Sequence, residues 1–588
     1  IVALIEADGT ARPEDPKNPY AFALTPDSAR VASDRKVLLE ITRWPGEGDE
    51  PEGRVLEDLG PAGEPDTETA AILASYDAPG PFPEPVKREV ANRAQTASPP
   101  AEAGRLDLTD AVTLTIDPED ARDFDDALSL EAKPDGRLVL GVHIADVSWF
   151  VKPGSRLDEE ARDRATSIYL PDRVIPMLPE ELSNDLCSLR PDEVHLTKSV
   201  FLHYDADGKR TNYTIHRSRI RSQRRFTYME VARLLAPEHE KRAPASDEET
   251  LRGREDPAVL ETLQGLYRLS RQLRRDRLRS GALELHLPEF HLILDEDGHA
   301  EGLEEVPHDY SHQLVEEFML AANVALAEWC AANGLPALHR IHEPPDEEQF
   351  EELAEFLTAC GYPFKRPYQR ERLKAILEQA RGRPEEHAIN LAILRSFKQA
   401  VYGPQHDIGH FALDFAHYMH FTSPIRRYPD LHLHQMLDRS FSDGAHKLPK
   451  RLRQPPRVSY KVLENLGSHT SQRERRAMKI EEGVKDFRRL EFLSRQEQRT
   501  FKAVVTGIRK FGIFVEIENY FVEGMIPRWM LARAGFSARE ETPGTSAKRT
   551  RRQAAARPGF HLGQEVEVRI TKIDLAARLC EMEFLGVV

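Results

Sequence analysis

Residues 115–127 read TIDPEDARDFDDA and gather Asp117, Asp123, Asp125 and Asp126 into one short excursion of the backbone. Before the stretch, Val112, Leu114 and Ile116 alternate with polar neighbours, the spacing of a strand with one buried face. After it, ALSLEA, the turn PDGR and LVLGVHIADV keep the chain extended. Asp117 therefore ends one strand, Asp123, Asp125 and Asp126 open the next, and the connecting loop folds four carboxylates toward one point. Packed carboxylates repel one another, and each is harder to ionise unless a cation sits among them. Hard oxygen donors with no Cys or His in the cluster suit Mg²⁺, or Mn²⁺ in its place. Most Asp-rich loops are solvated turns. Here the apolar strands on either side, and Phe124 in the middle, favour a metal site.

The chain has 588 residues, too many for one core, so several domains are expected. Charged residues make up 30% and hydrophobic residues 40%, the balance of an ordinary globular protein. Cys187, Cys330, Cys360 and Cys580 form no Cys-x-x-Cys pair. That argues for a reducing compartment, the cytoplasm, and against a disulfide framework or zinc ribbon. No apolar run is long enough to span a bilayer, so no membrane partner is expected. The chain opens at Ile1 without a basic leader, which reads as a trimmed start rather than a signal peptide. The net charge of −17 is a weak argument against a nucleic-acid partner, because binding depends on local patches. HRSRIRSQRR (216–225), RQLRRDRLRS (271–280) and KRTRRQAAAR (548–557) are such patches. Each alone reads as a solvated face; beside an acidic metal centre, the three together point to a polyanionic substrate.

The fold class expected is multidomain α+β, with OB-type β-barrels flanking a central mixed α/β catalytic domain. Residues 1–75 read as short strands separated by turns, a small barrel in which KVLLEITRWPGEG pairs with GRVLEDLG. Residues 76–110 read as a linker with one short helix at PEPVKREVANRA. Residues 111–440 form the catalytic domain: strands to about 225, polar helices to 280, a strand pair from GALELHL onward, and a helix over 308–333 with Leu314, Phe318, Ala321 and Ala325 in register. EEHAINLAILRSFKQAVY reads as a further helix, and 441–498 as a helical segment completing the domain. Residues 499–588 return to strands as a second OB-type barrel, with a polar basic loop at 533–561.

HYMHFTSPIRRYPDL (417–431) is the second unusual stretch. Pro424 fixes a turn and Arg426 and Arg427 follow, planar forks suited to phosphate oxygens. The competing reading is a structural ion pair at a helix start. A third stretch, SIYLPDRVIPMLPEELSNDLCSL (167–189), reads as a Pro-stiffened wall carrying Tyr169, by default a core residue. The histidine pairs His308/His312 and His406/His410 have i, i+4 spacing. Neither carries the Glu of a zinc-protease helix, so they read as hydrogen-bonding or substrate-contacting groups.

Taken together, TIDPEDARDFDDA, HIADVSWFVKPGSRLD (143–158), YLPDRVIPMLPEELSNDLCSL (169–189), HQLVEEFMLAAN (312–323) and HFTSPIRRYPDL (420–431) resemble the ribonuclease II / ribonuclease R family of 3′→5′ exoribonucleases, in the expected order. The wording PEDARDFDD and SPIRRYPDL leans toward the ribonuclease R branch. The resemblance makes 1–75 a shortened cold-shock-type barrel, 111–440 an RNB domain, and 499–588 an S-one-type RNA-binding barrel. It implies that Asp117, Asp123, Asp125 and Asp126 bind metal, with Asp125 the most critical for turnover. By the same resemblance Arg426 contacts the scissile phosphate, Tyr169 holds the terminal nucleotide, and Glu316, with Glu317 beside it, lies near the ribose 2′-hydroxyl. Glu481 matches loosely a glutamate near the substrate end. The family's second aromatic clamp should fall near 283–286, where this chain has Leu283, Glu284, Leu285 and His286; the length of the limit product is open for that reason.

The activity expected is processive 3′→5′ hydrolysis of single-stranded RNA, including structured RNA with a 3′ overhang, to nucleoside 5′-monophosphates. Two Mg²⁺ ions would act during catalysis, in a protein expected to be a monomer. Phe511 and Phe514, on a predicted strand just after Arg509 and Lys510, are read as a stacking surface for RNA, and Arg427 as a further RNA contact. The rival reading is a catalytically silent RNA-binding paralogue that keeps the barrels and loses an acidic ligand; all four aspartates and Arg426 are present.

Overall fold

The structure is a computed structural model that describes residues 1–588 except 16, 29, 45–50, 96–103, 297, 307, 384, 443–444, 455–456 and 539–557. The N-terminal unit is a five-stranded sheet in the order Ala11–Pro13, Val2–Ile5, Arg35–Arg43, Glu52–Pro61, Ala23–Leu24. Ile5, Phe22, Val37 and Leu39 are its core. The strands stop before residue 75. Residues Pro65–Ser75 form a helix, with Pro65 and two acidic residues in its first turn, a favourable helix start. The run of helix-forming Ala and Leu residues there overrides the expected strands. The Pro-Gly turn after Trp44 lies outside the described residues. The linker helix forms at Glu84–Gln95.

The central sheet has seven strands, in the order Arg224–Thr227, Leu114–Asp117, Asp126–Ala132, Leu138–Ala145, Val194–Tyr204, Arg210–Arg221, Leu106–Leu108. Only its two outermost pairings are parallel. Helices Pro257–Ser280 and Tyr310–Ala332 cover one face, where Leu263, Leu266, Leu314 and Phe318 meet Leu114, Ile116, Leu128 and Val142. The strand before the aspartates is buried on both faces, not one: Thr113 and Thr115 are as enclosed as Leu114 and Ile116. Thr113 is tied to Arg221 and Gln223 by hydrogen bonds, which is how a polar face tolerates burial.

Two expected elements differ. GALELHL is irregular, and the strand pair is Glu289–Leu294 with Ala300–Val306. The backbone of 281–287 is held by other partners: Leu283 N–H donates to Ala412 and His286 N–H to the Asn390 side chain. Leu283 and Leu285 pack on a separate cluster around Leu357 and Phe364. The helix expected through Tyr402 ends at Ser396, and Val401–Gly403 pairs as a strand with His339–Ile341. A 35-residue helix, Tyr460–Ser494, then leads to a closed barrel in the order Thr500–Arg509, Gly512–Ile517, Glu523–Pro527, Leu579–Val587, Glu565–Asp574. Most of the long loop at 533–561, with the basic patch at 548–557, lies outside the described residues. Among the described residues no helix is long and apolar enough to cross a membrane.

Candidate active site

The site is built where the two central strands part. Asp117 ends the strand Leu114–Asp117 and Asp126 begins Asp126–Ala132, so the loop between them must carry Asp123 and Asp125 back across the sheet edge. That loop is clipped in place. Ser188, fully buried, accepts from the Phe124 N–H at 3.0 Å and donates to the Arg122 carbonyl at 2.6 Å. Leu189 N–H donates to the Phe124 carbonyl at 3.0 Å. Arg225 donates to the carbonyls of Pro118 and Glu119 and lays its guanidinium over the Phe124 ring, 5.4 Å from the centroid.

The 423–427 turn closes over this loop. Ile425 N–H donates to Asp125 Oδ1 at 2.9 Å. Arg426 Nε lies 3.6 Å from Asp125 Oδ2, and its Nη2 donates to Ser423 Oγ at 3.2 Å. The Arg426 side chain remains 45% exposed, so its fork faces the cleft with donors to spare. Arg427 is a correction to the sequence reading. It holds Asp430 bidentately, at 3.0 and 2.8 Å, and Asp430 is fully buried. Its fork is spent on the start of helix Tyr428–Asp438, the structural alternative the sequence left open, and not on RNA.

Burial dominates the electrostatics. Desolvation, with the charge of Asp126 beside it, pushes the Asp117 carboxyl up to about 8. Burial raises Asp126 to about 6 against the pull of Arg426, and raises Asp125 well above the carboxylate range despite Arg426 and the Ile425 N–H. Asp117 Oδ2 and Asp125 Oδ2 are buried without a hydrogen-bond donor. Two orphaned oxygens in a cluster of disfavoured negative charge mark a place suited to a cation. The donor set, all carboxylate, fits Mg²⁺ or Mn²⁺. Among the described residues no three His, Cys, Asp or Glu side chains converge closely enough to form a ready-made metal site.

Tyr169 is in the site rather than the core. Its hydroxyl donates to Asp123 Oδ2 at 3.0 Å, and its backbone N–H donates to Glu481 Oε1 at 2.8 Å. Glu316 is half-buried, with Arg277, Arg274 and His308 at 3.5 to 3.7 Å. Glu317, by contrast, is buried and held by Arg277 at 2.6 Å, so of the two it is the structural residue. Near 283–286 only His286 is aromatic. It is half-exposed and bonded to Arg381.

Tyr228 and His312 were missed as a pair. Thr227 is in register with Asp117 across the parallel edge of the sheet, and it caps the next helix in a capping box with Glu230. Tyr228 is thereby set beside the aspartates, and the charges of Asp126 and Asp117 help burial to raise its hydroxyl. His312 stacks on it at 4.0 Å between centroids. Thr-Tyr-Met-Glu advertises the helix start; only the strand pairing says what lies next to it.

The patches 216–225 and 271–280 serve mainly the fold. Arg219 pairs with Asp107, Arg224 with Glu230 and Glu255, and Arg274 and Arg277 with Glu284 and Glu317. On the C-terminal barrel Phe511 is 59% exposed and meets Phe514 edge-on at 6.0 Å. Phe511 occupies the turn before the strand Gly512–Ile517 rather than the strand itself, which lets residues three apart share one side.

The chain is similar to known proteins along most of its length. The RNB domain model matches residues 105–443, the cold shock domain model 11–83, and the S1 RNA binding domain model 495–580. Ribonuclease R of Aquifex aeolicus is 35% identical over 561 residues, 95% of this chain and 76% of the relative. The chain belongs to the ribonuclease R family. Ribonuclease R of Thermotoga maritima is 37% identical over 535 residues, 90% of this chain and 73% of the relative. The ribonuclease R of Mycoplasma genitalium shares the fold at a TM-score of 0.83 and 24% identity, over 98% of this chain and 87% of that one. That protein has also been seen with ribose-methylated single-stranded RNA and with double-stranded RNA. As a family member the chain is a hydrolase, a 3′→5′ exoribonuclease, with cold-shock and RNA-binding barrels flanking the RNB domain.

Proposed function

We propose that this exoribonuclease degrades single-stranded RNA processively from its 3′ end, including the 3′ overhang of structured RNA, and releases nucleoside 5′-monophosphates. The observation that carries the reading is the buried aspartate cluster: Asp117 and Asp125 each keep an orphaned carboxylate oxygen, and the half-exposed Arg426 guanidinium lies 3.6 Å from Asp125 Oδ2. Asp117, Asp123, Asp125 and Asp126 would hold Mg²⁺, two ions during catalysis, with Mn²⁺ able to substitute. Bound there, the metal supplies Lewis-acid activation of water and neutralises charge on the phosphate. Arg426 shares the phosphate charge as it builds. Tyr169 grips the 3′-terminal nucleotide while its hydroxyl steadies Asp123, and Glu316 faces the ribose 2′-hydroxyl, the group that tells RNA from DNA.

Around this centre, residues 111–440 with the helical segment to 498 carry the chemistry. The barrels at 1–75 and 499–588 guide the strand, with the 76–110 linker between the first barrel and the catalytic domain. Phe511 and Phe514 offer stacking faces beside Arg509 and Lys510. Four unpaired cysteines, three of them buried, fit a cytoplasmic protein, and we take the active unit to be a monomer.

RNA labelled at its 5′ end, incubated with Mg²⁺, should pass from full length to a short labelled end product with few intermediates while unlabelled mononucleotides accumulate, and EDTA should stop both. Internal cuts, or mononucleotides released first from the labelled 5′ end, would overturn the assignment. A second expectation concerns Tyr169→Ala. A stacked aromatic is worth about 1–3 kcal/mol per base, enough to decide when a short oligomer is released. The shortest product should therefore lengthen while the rate on long RNA stays within about threefold. An unchanged product ladder would leave Tyr169 a support for Asp123 only.

A further inference from the structure

The last hairpin of the C-terminal barrel reaches out of its own domain. Its turn joins the strands Glu565–Asp574 and Leu579–Val587. Leu575, at the start of the turn, packs against the barrel core and also against a separate cluster that includes Ile72, Ile168, Leu170, Ile480 and Val484. Ile72 belongs to the helix Pro65–Ser75 of the N-terminal unit. Ile168 and Leu170 flank Tyr169 in the chain, and Ile480 adjoins Glu481, the residue that accepts the Tyr169 N–H. One side chain of the RNA-binding barrel thus packs on the cluster that also contains the neighbours of Tyr169 and of Glu481.

An ion-pair cluster with a buried centre holds the turn there. Lys36 and Glu68 of the N-terminal unit are fully buried, with Lys36 Nζ 2.5 Å from Glu68 Oε2 and paired also with Glu14. Lys36 Nζ donates to the Ala576 carbonyl at 2.8 Å. Arg578 donates to Glu68 at 3.0 Å and to Glu14 at 2.7 Å. Without the hairpin, Lys36 would face two carboxylates and leave one negative charge uncompensated. Arg578 cancels it, and buried charge is tolerated only when paired.

We propose that residues 575–578 are a keystone, through which Leu575 and Arg578 of the C-terminal barrel position the Tyr169 subsite in addition to any RNA that barrel binds. The proposal rests on the reading of Tyr169 as the grip on the terminal nucleotide. Leu575 and Arg578 are positioning residues, since neither touches the aspartates. A barrel that only bound RNA would affect long substrates; a keystone also affects the shortest substrate, which is held at Tyr169 itself.

The test uses the full chain. Arg578→Glu turns a like charge toward Glu14 and Glu68. On the shortest oligoribonucleotide that the parent protein degrades it should lower kcat/KM by about tenfold or more, the scale of a small misplacement of a binding group, and its shortest product should lengthen. An unchanged rate and ladder on that substrate would overturn the keystone. A repair arm separates positioning from misfolding. A Cβ built on Gly63 lies 3.6 Å from Leu575 Cβ, within the roughly 3.5–4.5 Å that a disulfide spans. Gly63→Cys with Leu575→Cys, added to Arg578→Glu, should recover at least about threefold in kcat/KM when oxidised over the same protein reduced, because the bridge replaces the hold of Arg578 although the Leu575 side chain is gone. Both states are the same protein, so the strain of a Cys at the φ of +88° of Gly63 cancels. A complete bridge without recovery would overturn the proposal. Tyr169→Ala run alongside tells the two ideas apart. An unchanged ladder in that variant overturns the reading of Tyr169 and the keystone with it. A lengthened ladder there, with none in Arg578→Glu, overturns the keystone alone.

Discussion

Asp125→Asn should abolish turnover, by about a thousandfold or more, while RNA affinity stays within about twofold. Oδ1 of Asp125 accepts the Ile425 N–H, and an Asn Oδ1 can do the same, so the turn that carries Arg426 keeps its anchor. What changes is Oδ2. A buried oxygen without a hydrogen-bond donor, 3.6 Å from Arg426 Nε, becomes an amide NH₂, which is neutral and cannot ligate a hard cation through that atom. Burial already disfavours the charged Asp125 carboxyl, so the neutral variant should melt no lower than the parent in chelator. A lower melting point would show that the substitution had disturbed the fold rather than the chemistry. Single-turnover hydrolysis and filter binding measured side by side decide the matter. Turnover within tenfold of the parent would remove Asp125 from the catalytic machinery.

Arg426→Ala should lower kcat by roughly 100- to 1,000-fold with KM changed less than about threefold, the pattern of a group whose interaction grows as charge develops. Arg426 is half-exposed, makes one side-chain hydrogen bond, to Ser423, and its buried ion-pair partner Asp125 keeps the Ile425 N–H without it, so the protein should fold normally. Arg426→Lys keeps the charge but loses the planar fork, and recovers only part of the rate. The neighbouring position supplies the contrast. Arg427→Ala strands the fully buried Asp430, and removing one partner of a buried pair costs about 3–5 kcal/mol. Its effect should appear first in the melting temperature. Equal losses of rate and of stability in both variants would mean that the two arginines do the same job.

Adjacency of that kind marks the limit of reading along the chain. Arg426 and Arg427 carry the same side chain one residue apart, and only the packing of helix Tyr428–Asp438 shows that Asp430 claims the second of them. Glu316 and Glu317 repeat the case: Arg277 takes Glu317 into the interior and leaves Glu316 at the surface. The basic runs at 216–225 and 271–280 are conspicuous as composition, yet their partners lie on other elements, Asp107, Glu255, Glu284 and Glu317 among them. Charge that is paired across the fold is not available to a substrate, and no local pattern records the pairing.

Local chemistry did determine a good deal. Four aspartates between two apolar strands cannot all stay ionised together without a cation to offset them, so the proposed metal centre is legible in the residues and their spacing. The Pro-fixed turn before Arg426, the helical register of Leu314, Phe318 and Ala325, and the alternation in the last strands are likewise set by short-range geometry. The tertiary structure alone decided which residues from distant segments meet. The parallel edge pairing puts Tyr228 beside Asp117, Ser188 pins the aspartate loop from 64 residues away, and the hairpin at 575–578 closes on Lys36 and Glu68 across more than 500 positions. Such contacts are selected by the free energy of burying and pairing groups in the folded chain. That energy depends on what is packed nearby and not on what is adjacent in sequence.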